Sequence, residues 1–346
     1  MIRACTTTLV LCVTLTLTFA ASARAQSPSA AKPTAPKPPA AAAPAPAPAP
    51  VATQAKKPAP SAPSDPDLAF GAFQRGYYVT AFAEATKRVN ATSDPKAMTL
   101  LAELYANGYG VANDDKKAAG WYQMAADRGD REAMFALAMF RLGGRGGPRD
   151  RDGMVRLLEA AAKLGHPAAA YDLGLLYLQG QQFPQDFKRA SELFRIGAQA
   201  GNPEAQFALG TLYKEGRGVQ KDDAEATRLF AAAALADFTD AQIEYGIALF
   251  NGNGVAKNEA AAAIEFRRAA LKGSPIAQNR LARMLAFGRG LQTDPLQAAM
   301  WHLIAKAGGD GDPMLDEYIA KQNPELRSAA EKAAKPWLDL IAQSHS

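Results

Sequence analysis

The sequence predicts an all-α solenoid of stacked helix-turn-helix hairpins, and three observations carry that expectation. The first is a strict period. Steps of 36 residues carry Ala97 onto Ala133, Ala169, Ala205, Ala241 and Ala277 without a gap. The second is that the same step carries Gly108 onto Gly144, Gly180, Gly216, Gly252 and Gly288. The third is the spacing between those marks: Ala97, Leu101, Leu104 and Tyr105 fall on one face of a helix. A phosphate-binding glycine loop is needed once. Six glycine loops in register are expected to turn the chain, and one helical hairpin cannot bury both its faces, so the copies must stack.

The elements follow in order. Residues 1–25 read as a secretory signal peptide: Arg3 gives a basic start, an apolar run extends from about Leu9 to Ala21, and Ala23-Arg24-Ala25 is a small-residue cleavage site. The run is too short and too threonine-rich for a comfortable membrane span, so no integral span is expected after cleavage. Both cysteines, Cys5 and Cys12, lie inside it. The mature chain is therefore expected to hold no disulfide and no thiolate metal site. "LVLC" lacks the small residues of a lipoprotein cleavage site, which argues against a lipid anchor.

Residues 26–65 are proline- and alanine-rich, with little to bury, and are expected to form a disordered, semi-rigid tether. Together with the signal peptide, this segment also accounts for the net charge of +5. Arg3, Arg24, Lys32, Lys37, Lys56 and Lys57 precede residue 66, against Asp65 alone among the acids, so the folded part that follows is formally neutral. Nothing in that balance calls for a nucleic-acid partner.

Residues 66–93, with "AFGAFQRGYYVTAFAEATKRV" at Ala69–Val89, read as a shorter helix pair capping the N-terminal end. The repeats then occupy residues 94–309. In the first copy Asp94-Pro95 is a helix start, an acceptor at the N-cap with proline at the first helical position. His166-Pro167, Asn202-Pro203 and Ser274-Pro275 stand at the same place later. The first helix ends at Gly108 and Gly110. The second is expected to start near Asp114 or Asp115, to bury Ala118, Trp121, Tyr122 and Ala125, and to stop at Gly129. The small position at Ala102 recurs as Ala138, Gly174, Gly210, Gly246 and Ala282, allowing the two helices to approach closely. Irregular loops are expected in the second copy, with "GGRGGPRDRDG" and Arg141 at the tyrosine position, and in the third, where Gln182 replaces the second glycine. Residues 310–346 read as two C-terminal capping helices about Asn323-Pro324.

The recurring pattern A-x3-LA/G-x2-Y-x2-G-x-GV…D-x3-A-x2-WY-x2-AA-x2-G resembles the Sel1-like repeat, a longer-looped relative of the tetratricopeptide repeat. The resemblance spans about Asp94 to Gly309. It implies a right-handed α-solenoid and, for an exported bacterial member, an adaptor or regulator that binds other proteins. Such relatives restrain envelope sensor kinases, scaffold polysaccharide export or cell-wall machinery, or meet host proteins. Some cysteine-rich relatives carry β-lactamase or penicillin-binding labels, so a cell-wall or β-lactam hydrolase is the alternative expectation.

The residues offer that alternative little. Ser93-Asp94-Pro95-Lys96 matches S-x-x-K, but no S-D-N or K-T-G partner occurs in the chain. His166, His302 and His345 lack neighbours at metal-ligand spacing, and Asp114-Asp115 and Asp222-Asp223 are periodic helix starts. No catalytic residue, metal site or cofactor is therefore expected.

One face stands out instead. Positions near Thr99, Glu103 and Ala106 lie opposite the core stripe and would line the concave surface of the solenoid. Through the middle four copies they become Phe135, Met139 and Leu142; Tyr171, Leu175 and Leu178; Phe207, Thr211 and Lys214; and Ile243, Ile247 and Phe250. The expectation is a groove that takes an extended peptide or amphipathic helix of a protein partner in the periplasm or outside the cell. Two alternatives stay open: first helices packing these residues on one another, and a passive stalk with no groove.

Overall fold

A computed structural model describes residues 67–180 and 182–344, all of whose regular structure is helical. The signal peptide at 1–25, the tether at 26–65 and His345 lie outside the described residues. A short helix α1 (Leu68–Gln74) and α2 (Tyr78–Thr92) come first. Six hairpins follow: α3 (Pro95–Asn107) with α4 (Asp115–Ala126), α5 (Arg131–Gly143) with α6 (Arg151–Lys163), and α7 (Pro167–Gln179) with α8 (Phe187–Gln199). The remaining three are α9 (Pro203–Glu215) with α10 (Asp223–Leu235), α11 (Thr239–Asn251) with α12 (Glu259–Leu271), and α13 (Pro275–Phe287) with α14 (Pro295–Ala307). The array closes with α15 (Pro313–Ala320) and α16 (Pro324–Ser344).

Each helix through α14 packs on its neighbours in the chain, within a hairpin and then onto the next one, while α16 returns to cover α14. This is the serial arrangement of an α-solenoid.

Local chemistry sets the period. Asp94, Asn202 and Ser274 accept backbone N–H bonds at helix starts, and proline at the next position has no N–H to lose. His166 caps in the same way, its Nδ1 accepting from the Ala169 amide at 3.1 Å. The fifth hairpin departs from this: Phe238 holds the N-cap of α11 with no side-chain bond. Its ring instead lies 5.4 Å from that of Phe207.

Outside the third copy, two glycines end the first helix of each repeat, for different reasons. Gly252 adopts φ +81° as the C-cap of α11, a left-handed conformation that costs glycine little. Gly254 also has positive φ, but there a Cβ would overlap the Asp223 carbonyl at the start of the preceding repeat's second helix. The second copy corrects an expectation. Its loop is regular, with Gly144 and Gly146 both at φ +71°, and Arg141 replaces the tyrosine by pairing with Asp150 at 2.5 Å. Arg145, between those glycines, reaches Asp115 of the copy before at 2.6 Å. In the third copy Gly180 holds the usual C-cap at φ +70°.

The core runs along the interior of this stack. Leu101, Leu104, Leu158, Phe194 and Phe266 are among its fully buried side chains, surrounded by alanines. At the small position, glycine answers a phenylalanine. A Cβ on Gly174, Gly210 or Gly246 would stand 2.6, 2.8 and 2.8 Å from the rings of Phe194, Phe230 and Phe266.

Candidate functional site

The strip picked out on the first helices runs over α5, α7, α9 and α11, with Thr211 and Lys214 interrupting its apolar character on α9. Phe135, Met139 and Leu142 are half-buried, as are Tyr171, Leu175 and Leu178, then Phe207, and then Ile247 and Phe250. Ile243 goes further in and is 8 % exposed. Each also touches the core behind it. The Phe135 ring stacks on His166 at 4.5 Å, and Tyr171 lies 5.8 Å from Phe194. Phe207 meets both Phe230 and Phe238. These side chains therefore divide their surface between the packed interior and solvent.

Carboxylates flank the strip without cationic partners. Asp172 on α7 is held up to about 6, mainly by burial and further by nearby Glu204, with His166 opposing the shift. Asp240 on α11 is raised by burial and by Glu244. No lysine or arginine forms an ion pair with either among the described residues.

At its C-terminal end the strip opens into a cavity of about 290 Å³ between the fifth and sixth hairpins. Phe266 and Met284 are its buried floor, and Ile247 and Phe250 form one wall. Phe287 and Met314, 45 % and 54 % exposed, stand at the rim. Arg280, Arg283 and Arg289 surround it.

The candidates for chemistry do not assemble. Ser93 is the left-handed C-cap of α2, and Asp94 caps α3, so the S-x-x-K match is a junction between helices. His166 bonds Glu132 at 3.0 Å through Nε2, which completes its capping role. His302 is fully buried on α14 and bonds Asp316 at 2.8 Å. Among the described residues no cluster of three His, Cys, Asp or Glu could hold a metal, and no helix is long and apolar enough to cross a membrane.

The Sel1 repeat matches six times in succession, at residues 95–130, 131–166, 167–202, 203–238, 239–274 and 275–310. The chain belongs to the Sel1 repeat family. Solved Sel1 repeat structures agree with the fold. A Sel1 repeat protein from Oxalobacter formigenes is 27% identical, with a TM-score of 0.59 over 69% of this chain and 98% of that one. The uropathogenic Escherichia coli protective antigen c5321, which has the same repeat fold, is 26% identical with a TM-score of 0.54. That match covers 77% of this chain and 65% of the antigen, so the chain spans just under two thirds of the antigen's length. No curated protein matched the sequence.

Within this Sel1 repeat protein, the reading from sequence missed the cavity beside its strip. One signal for it was present. Phe287 occupies a position held by Asn107, Gly143, Gln179, Glu215 and Asn251 in the other copies. An aromatic ring at an otherwise polar or small position marks a surface that differs from its repeats.

Proposed function

We propose that this Sel1 repeat scaffold is a non-enzymatic adaptor of the cell envelope, exported to the periplasm or beyond. It binds a peptide or amphipathic helix of a protein partner along its first-helix groove. One observation carries the reading: large apolar side chains remain partly exposed at equivalent positions of α5, α7 and α11, with Phe207 between them on α9. A solvated helix face carries polar residues at such positions, whereas repeated apolar surface of this kind suits recognition of a helix or extended segment. The partner's role, in envelope signalling or in polysaccharide and cell-wall machinery, follows from its identity.

The test is photo-crosslinking in the producing cell with probes at Tyr171, Phe207 and Ile247. The expected result is one specific protein captured from all three positions. Absence of capture from a folded protein would assign the strip to packing between helices. Charge substitution at Phe207 is a weaker test by itself, because that ring contacts Phe230 and Phe238 and its loss destabilises the fold.

A further inference from the structure

We infer that the cavity between the fifth and sixth hairpins takes a partner segment in which carboxylates flank one large apolar side chain. This rests on the groove reading and specifies the partner's chemistry at one end of it. At about 290 Å³ the cavity lies near the lower limit of ligand clefts, about 300 Å³. That size suits a single bulky side chain, and the phenylalanine, isoleucine and methionine side chains around it supply an apolar lining.

Charge settles what surrounds that side chain. Three arginines line the cavity and no carboxylate does. Arg283 engages Asp312 through Nε, and Arg289 engages Glu259 at 2.5 Å while its guanidinium sits 4.8 Å from the Phe250 ring centre. Both keep further N–H donors, since a guanidinium carries five.

Arg280 is exposed and has no acidic partner among the described residues. The period explains why. One repeat earlier, Lys214 reaches across to Glu244 at 2.7 Å. Thirty-six residues on, those two positions are Phe250 and Arg280, so the arginine meets an aromatic position where its counterpart finds an ion-pair partner. A carboxylate carried in by a partner completes the pairing, with the planar fork suited to bidentate contact. Exposed Phe287 and Met314 provide apolar contact at the mouth.

The test pans random dodecapeptides displayed on phage against the full-length protein. Enriched sequences are resynthesised with a fluorescent label, and their affinity is measured by anisotropy. The expected peptides carry phenylalanine, leucine or tryptophan beside two or more acidic residues. Arg280→Glu, a change at an exposed side chain, weakens their binding by about tenfold or more, the loss of a charge-assisted hydrogen bond. Met314→Lys weakens them as well, while both variants keep the parent melting temperature.

Enrichment of basic or uncharged peptides, no enrichment, or unchanged affinity in Arg280→Glu overturns the inference. So does displacement of the peptide by a single-stranded oligonucleotide, which would make the cavity a nucleic-acid site. Crosslinks from Tyr171 and Phe207 report separately on the groove. If they succeed while the acidic peptides fail, only the cavity's chemistry is lost. If acidic peptides bind but those probes capture nothing, the cavity stands apart from the groove.

Discussion

A single methyl group decides how closely α9 and α10 approach. Gly210→Ala places a Cβ 2.8 Å from the Phe230 ring and is expected to lower unfolding free energy by about 1–3 kcal/mol. Gly120 lies inside α4 with nothing within 4 Å of a built Cβ, so Gly120→Ala is expected to gain about 0.5–1 kcal/mol. Urea melts of the pair read both signs, and equal shifts in one direction would reject the packing argument. Asp172 makes a second prediction. Its ordinary value of 3.8 rises to about 6 in the fold, chiefly because burial disfavours the ionised form. The folded state then binds the proton more tightly than the unfolded chain. The resulting penalty is fully present above the folded value and disappears below the unfolded one. Asp172→Asn should therefore stabilise the protein at pH 7.5, by on the order of 1–2 kcal/mol, with the gain vanishing near pH 4. Thermal melts across that range test this, and a gain independent of pH would contradict it.

At the scale of the element, α16 covers the end of the array. It packs on α14, with Trp337 5.6 Å from Trp301 and Ala330 and Ala334 fully buried. A chain ending at Gln322 is expected to melt at lower temperature and to shift its tryptophan emission to longer wavelength as Trp301 meets water. Unchanged melting would mean that the sixth hairpin closes itself. The hairpins themselves were legible because each boundary is marked locally: Asp94, Asn202 and Ser274 cap, and the glycines of the 108 series turn. The second loop was misread because its composition was weighed above its register. Gly144 and Gly146 hold their usual conformations whatever surrounds them, and Arg141 finds Asp150 within its own loop. Phe238 escaped notice as a start signal because its role is aromatic contact.

At the scale of the molecule, periodicity made the repeats visible and hid what is unique to one of them. Adding 36 finds the Phe135-to-Phe250 strip, since its positions are equivalent. It does not find a cavity built from Ile247, Arg280, Phe287 and Met314, which occupy different positions in successive units and include a helix beyond the repeats. How far each strip residue is covered was also beyond the pattern, because that depends on the neighbouring hairpin, as Ile243 demonstrates by lying deeper than its equivalents. Contacts confined to adjacent units have an evolutionary counterpart. Gly254 seats its loop against the unit before it, and a duplicated block carries both halves of such a joint with it. Copies added or deleted within the first four hairpins would lengthen or shorten the array without disturbing the arginine-lined cavity. It is built from the fifth and sixth hairpins and α15, so the reach of the scaffold can change while the residues that line it stay together.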